Sequence, residues 1–499
     1  MLSLIPTLLL SLSPIQETPT QAVAVDDVTE QRPPNVILFV ADDLGWGEVG
    51  AYGQTLIRTP HLDRLAEDGL RFTHGYSGSP VCAPSRCVLL TGRHTGRSVV
   101  RNNWEQGGWG PDQDEGQYPL PTGTPTLSAF LAERGYATGV FGKWGLGGPY
   151  STGAPEHQGF EASMVVNCQR EAHNFYPPHL WSNGLKHPLP GNEWFSAHQR
   201  LEEPLEDPAE YAERYVGTTY STDVMLESAL SFLDAHADEP FFLYYPSPLP
   251  HVALQVPDEY VEAYPERWDE LTGPYLGQKG YLPHPRPRAA YAGMITRLDA
   301  ELGALLERLD DLGLADDTIV IATSDNGPTY AGGVDYDFFH SAAHLRGLKG
   351  SVYEGGIRVP TIVRWPGRVE PGAVTDVPVH FADYAATIAD ATGFEWTEET
   401  EGTSFLPTLT GEGLQQAREP MYWELGPRQA LIAGRWKLVR TDLRTEEPKV
   451  ELFDLRSDPS ETTDLSEQRP EILELMLDLA RGIRTPSEPF PEERLDLGE

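Results

Sequence analysis

The chain has 499 residues, with 75 Asp+Glu against 37 Lys+Arg and a formal net charge of −38. That balance excludes a nucleic-acid-binding protein, which needs a basic footprint, and it means any anion site must gather its positive charge locally. Three cysteines, Cys82, Cys87 and Cys168, are too few for a disulfide scaffold, and Cys87 and Cys168 are either a pair or two buried thiols.

In chain order, the apolar run Leu2–Leu12 has the length of a signal-peptide core, and Ala22–Ala24 offers a small-residue cleavage site. Residues 1–24 therefore predict an exported protein, periplasmic or extracellular, although no Lys or Arg precedes Arg32. No later stretch is apolar enough for a membrane span. VILFVA (36–41) reads as a buried strand ending in Asp42-Asp43. A helix over 126–134 leads to a strand at 137–141, which runs into Lys143. An amphipathic helix at 222–237 precedes a strand at 241–245, and His251 follows. A long helix at 290–313 precedes the strand 318–323, which ends in Asp325-Asn326. A strand at 361–365 and a helix at 381–393 complete this series. Beyond about residue 410 come a hairpin at 430–440, a strand at 450–455 and a terminal helix at 471–484. The stretches 102–125 and 246–289, rich in Pro, Gly and aromatics, read as ordered loops that shape a pocket.

Alternating helices and strands apolar on both faces predict an α/β fold, with a mostly parallel central sheet flanked by helices. The expected organisation is a catalytic domain over 33–410 and a small α+β subdomain over 411–499 carrying a short antiparallel sheet. Ligands of such sheets bind beyond the carboxyl ends of the strands. Asp42, Asp43, Lys143, His251, Asp325 and Asn326 all fall just past predicted strand ends, so the fold gathers them on one edge.

Asp42, Asp43, Asp325 and Asn326 are hard oxygen donors and suit Ca²⁺, with Mg²⁺ the alternative, better than zinc. Arg86, Arg93, Lys143 and Lys349 are candidate cations beside that metal, and together they suggest a phosphate or sulfate ester as substrate. Cys82 lies just ahead of a helix that Pro84 begins, where a thiol is acidified and would be a nucleophile, unless it is simply packed.

Cys82-Ala83-Pro84-Ser85-Arg86, followed by Thr91-Gly92-Arg93, resembles the signature of the type I sulfatases. VADDLG, GKWGLG, SDNG and KGSVYEGGIRVP occur in that family's order, so the resemblance covers nearly the whole chain. It implies an alkaline phosphatase-like fold and conversion of Cys82 to Cα-formylglycine (3-oxoalanine) by a formylglycine-generating enzyme. It further implies that one hydroxyl of the hydrated aldehyde attacks sulfur and the second helps expel sulfate. By the same resemblance, Asp42, Asp43, Asp325, Asn326 and residue 82 would hold calcium, and Arg86 would fix the hydrated aldehyde. Lys143, His251 and Lys349 would hold the sulfate oxygens, with His251 the acid for the departing alcohol.

One departure stands out. Many members read Gly-Lys-Trp-His-Leu-Gly where this chain has Gly145. His173 is the expected replacement, within hydrogen-bonding reach of residue 82, with His94 and His344 as reserves. The function implied is a sulfatase acting on a sulfated small molecule or glycan, without nucleic-acid or membrane partners. Two other readings stay open: a phosphoester or phosphonate hydrolase of the same superfamily, and a weakly active sulfoglycan-binding protein. Trp104, Trp109, Tyr176, Trp181 and Trp194 are candidates for stacking on sugar rings.

Overall fold

A computed structural model describes residues 32–107, 115–195, 207, 210–278 and 280–496. The expected signal peptide, residues 1–24, and Trp109 lie outside the described residues.

The strand Asn35–Ala41 is the axis of the fold. Its alternate residues are buried on both faces: Ile37, Phe39 and Ala41 in one apolar layer, Val36, Leu38 and Val40 in the other. That explains the unbroken apolar run, because a strand covered on both sides has no solvent face to alternate with. It pairs in parallel with Phe241–Pro246 on one side and Thr318–Ser324 on the other. Ala137–Lys143 adds to Phe241–Pro246, and Ala162–Val166 adds to Ala137–Lys143, again in parallel. These five strands form the centre of a ten-stranded sheet.

Both margins turn antiparallel: Thr361–Arg364 beside Thr318–Ser324, and His179–Ser182 beside Ala162–Val166. The helices Ser221–Ala235 and Pro287–Asp311 cover one face through Met225, Phe232, Leu298 and Leu302. Cys82–Thr91 and Ala382–Ala391 cover the other through Val88, Leu89, Ala385 and Ile388. Burying each of these side chains larger than alanine contributes roughly 1.5–3 kcal/mol.

Every element named from the sequence is present, with ends shifted by a few residues. The margin strands between 162 and 188 were not legible, being four or five residues long and partly polar. A separate antiparallel sheet runs Met421–Glu424, Gln429–Ala433, Trp436–Thr441, Lys449–Asp454. Trp423, Val439 and Phe453 of that sheet pack against Tyr76, Val352 and Ile357, beside the loop that carries Lys349. All three cysteines are buried and unpaired. No helix among the described residues is long and apolar enough to cross a membrane.

Candidate active site

Parallel pairing brings the chemistry together. Ala41 and Ser324 are register partners, and Asp325 N donates to Ala41 O at 3.0 Å, so Asp42-Asp43 and Asp325-Asn326 emerge side by side. Asp43 takes a left-handed backbone conformation, φ 71°, and its N–H donates to Asp325 Oδ1 at 3.2 Å. Strained aspartate backbone of this kind persists only where surrounding contacts hold it, commonly at sites. Lys143 is the last residue of its strand and is fully buried.

Cys82 is the first residue of the helix Cys82–Thr91, not a residue ahead of it, and Pro84 lies in its first turn. Its Sγ lies 3.3 Å from Asp42 Oδ1 and 3.5 Å from Lys143 Nζ. The expected acidified thiol is absent. Burial, with the charge of Asp42 adding to it, pushes the Cys82 thiol up to about 12, against weaker help from Lys143 and Lys349. A thiol that acidic groups surround is a poor thiolate, whatever its helix position.

One ligand atom each from Asp42, Asp43, Cys82 and His251 lies within 4.8 Å of all the others. Around them, Lys143 Nζ donates to Asp42 Oδ2 at 2.6 Å and Lys349 Nζ to Asp43 Oδ2 at 2.8 Å. Arg86 donates to Asp325 Oδ2 through Nη2 at 2.7 Å and Nε at 3.0 Å, and through Nη1 to Lys143 O. Its guanidinium thus ties two strand ends together through groups other than the thiol.

The electrostatics are uneven. Burial raises the Asp42 carboxyl, but Lys143, His251, Arg86 and Lys349 together hold it well below the carboxylate range. Burial outweighs Lys349 at Asp43 and, with the charge of Asp42, lifts Asp325 to about 7 despite Arg86. Two crowded carboxyls that resist ionisation are what an added cation would relieve. Asn326 Oδ1 is buried and has no hydrogen-bond partner among the described residues, while its Nδ2 donates to Asp43 Oδ1 at 2.7 Å. A set of oxygen donors with one amide oxygen left unpartnered fits a hard divalent cation.

The Sulfatase family model matches residues 34–394, most of the chain. The chain belongs to the sulfatase family. A second model, N-sulphoglucosamine sulphohydrolase, C-terminal, matches residues 348–486 of this sulfatase. It is 31% identical to human arylsulfatase A, covering 90% of this chain and 87% of that one. It is 28% identical to an N-acetylgalactosamine-6-O-sulfatase of Bacteroides thetaiotaomicron, covering 93% and 96%. Among solved structures it resembles Ps i-CgsB in complex with k-i-k-neocarrahexaose, with 26% identity, a TM-score of 0.74 and coverage of 94% and 97%. It is a sulfuric ester hydrolase of the alkaline phosphatase-like fold.

His251 of the sulfatase is buried, and burial together with the Lys349 charge holds its imidazole neutral. Its Nδ1 lies 2.5 Å from the Val252 carbonyl, which can only accept, so Nδ1 carries the proton. Nε2 then accepts from Lys349 Nζ at 2.8 Å. His173 stacks flat on this ring, with 3.8 Å between centroids and 2° between planes, and Tyr281 stands edge-on to both.

The expectation that His173 fills the gap beside Gly145 is corrected. A Cβ on Gly145 would overlap Gln169 Nε2, so the glutamine already occupies that volume. His94 packs on Tyr422 and His344 on Trp46, away from the gap. Arg93 pairs with Glu399 and Glu401 and does not join the cluster. Sequence reasoning missed Gln169, Tyr281 and Asn103, whose Oδ1 accepts from Ala83 N at 2.9 Å. None of the three sits in a periodic element or next to a strand end that would have flagged it.

Proposed function

We propose that the protein is an exported, calcium-dependent sulfatase that hydrolyses an O-sulfate ester of a carbohydrate, with Cys82 converted to Cα-formylglycine. The observation that carries this is the convergence of Asp42, Asp43, Cys82 and His251 within 4.8 Å, ringed by Lys143, Lys349 and Arg86. Asp42, Asp43 and Asp325 there are matched one for one by Lys143, Lys349 and Arg86. A divalent ion therefore leaves the site positive, and an anionic ester is drawn in despite the acidic surface.

Asp42, Asp43, Asp325 and Asn326 would hold the calcium, which supplies positive charge to polarise sulfate oxygens. The hydrated aldehyde at residue 82 supplies the nucleophilic hydroxyl. Lys143 would bind a sulfate oxygen next to the attacked sulfur, a role its 3.5 Å distance from Cys82 Sγ supports. Arg86 fixes Asp325 against Lys143 and keeps the two strand ends in register. Lys349 and His251 share a proton between Nζ and Nε2, and an arriving anion raises the proton affinity of Nε2. His251 then protonates the departing alcohol, and stacked His173 keeps its ring in plane. The apolar leader at 1–24 supports export.

The test is sulfate release from a panel of sulfated glycans, using protein coexpressed with a formylglycine-generating enzyme, beside matched aryl sulfate and aryl phosphate. Release from sulfate esters, with a residue-82 peptide whose mass shows thiol-to-aldehyde conversion, is the expected result. Preferential phosphate release, or saturable glycan binding without release, would overturn it.

A further inference from the structure

Two backbone hydrogen bonds follow the end of the strand Ala137–Lys143. Trp144 N donates to Val166 O at 2.9 Å and Gly145 N to Asn167 O at 3.1 Å. This pins the segment 167–169 against Gly145, two residues from the lysine that touches Cys82. Gly145 has φ 76°, and any side chain there would collide with the Gln169 amide. The glycine and the glutamine are therefore one device: the backbone recedes, and a side chain from the neighbouring segment enters.

Gln169 is only 2% exposed, and neither its Nε2 nor its Oε1 has a hydrogen-bond partner among the described residues. Its own backbone is held, Gln169 N donating to Gln117 Oε1 at 3.2 Å. Asn167 Oδ1, two residues earlier, is likewise buried and unpartnered. A buried amide with both ends unmade costs stability, so such a group calls for a partner that completes it. Its Nε2 sits where a Gly145 side chain would begin, so the amide belongs to the strand end that carries Lys143, the lysine 3.5 Å from Cys82 Sγ.

We propose that Gln169 is a substrate-positioning residue: its amide, packed into the space left by Gly145, donates a hydrogen bond to an oxygen of the sulfate group. This rests on the sulfatase reading. The donor is neutral, so it orients the anion without competing for the carboxylates that Lys143 and Lys349 already pair.

The test is calorimetric titration of inorganic sulfate into Cys82→Ala protein, which removes dependence on conversion of residue 82. Gln169→Met keeps the volume and removes the donor, and is expected to weaken sulfate binding about tenfold. Gln169→Glu keeps the shape, adds a negative charge and is expected to weaken it further. Calcium affinity should stay at the parent value in the Met variant, and its melting temperature should hold or rise, because an unmade buried amide has been removed. Unchanged sulfate affinity in both variants would overturn the inference and leave the sulfatase reading standing. Sulfate and calcium affinity falling together would reduce Gln169 to packing and also overturn it. A parent protein that binds phosphate but no sulfate would remove both.

Discussion

Two buried ion clusters can be compared in this protein. One is the cluster at the strand ends, Asp42, Asp43 and Asp325 with Arg86, Lys143 and Lys349. The other lies under the C-terminal sheet, where Lys437 Nζ sits 2.9 Å from Glu354 Oε1 and 2.8 Å from Glu461 Oε1. Arg358 stands 3.5 Å from Glu354, Tyr76 OH donates to Glu354 at 2.9 Å, and Glu354 N donates to Glu461 at 2.7 Å. Both clusters balance carboxylates against cations; the second is fully buried, while the first reaches solvent through Lys349, whose side chain is 16% exposed. Each also holds an acidic residue in left-handed backbone, Asp43 at φ 71° and Glu461 at φ 54°, but only the first holds a thiol among its charges and a leftover amide oxygen at Asn326. Charge burial and backbone strain are thus common to both, while a thiol and an uncharged oxygen donor left without a partner set the first apart.

Substitutions in the two clusters should fail differently. The largest effect is at Cys82. Cys82→Ala should lower turnover on the order of 10⁴-fold or more, with an unchanged melting temperature, because the side chain makes only weak sulfur contacts. Mass spectrometry of the residue-82 peptide checks the companion claim, and full activity with an intact thiol would end the formylglycine mechanism.

Asp325→Ala comes next. It removes a candidate metal ligand and leaves Arg86 buried without its main partner, so calcium affinity, activity and stability should all fall, stability by roughly 3–5 kcal/mol. If exhaustively chelated, metal-free protein kept full activity, the oxygen cluster would have to be reread as ion pairs.

Lys437→Met should cost a similar amount of stability, roughly 3–5 kcal/mol, because it strands Glu354 and Glu461. Turnover per folded molecule should stay near the parent value at low temperature. A specific loss of turnover instead would show that the second cluster steers the Lys349 loop.

A smaller effect separates the clusters by pH. Burial, with Glu354 adding to it, raises Glu461 from 4.5 to about 7 against the pull of Lys437. Between about pH 4.5 and 7 the unfolded chain has lost that proton while the folded one keeps it. Stability from this group therefore falls as pH rises through that window, on the order of a few kcal/mol. Glu461→Gln should flatten the decline in chemical denaturation, and an equally steep slope in the variant would sink the assignment.

Much of this was open to reading from residue order alone. Asp42-Asp43, Lys143 and Asp325-Asn326 were locatable because each ends an apolar run, and parallel pairing puts the ends of such runs on one edge. Cys82 and its motif were legible for the same local reason: the helix start is written into Pro84 and the apolar stretch behind it. The acidity of Cys82 was misjudged, since a helix terminus acts locally while burial and Asp42 act through space. Gln169 was invisible, because its place opposite Gly145 depends on how a four- or five-residue strand pairs at the sheet margin.

The sequence by itself determined the strand axis, the helices that cover it and the edge on which the chemistry sits. Those follow from hydrophobic period and from chain direction, which are properties of neighbours along the chain. Only the tertiary structure decided which cation pairs with which carboxylate, that His173 lies on His251, and that a glutamine fills the space beside Gly145. Those depend on distances of a few ångströms between residues far apart in order, and pairwise electrostatics and packing volume fall off too steeply for order alone to specify them.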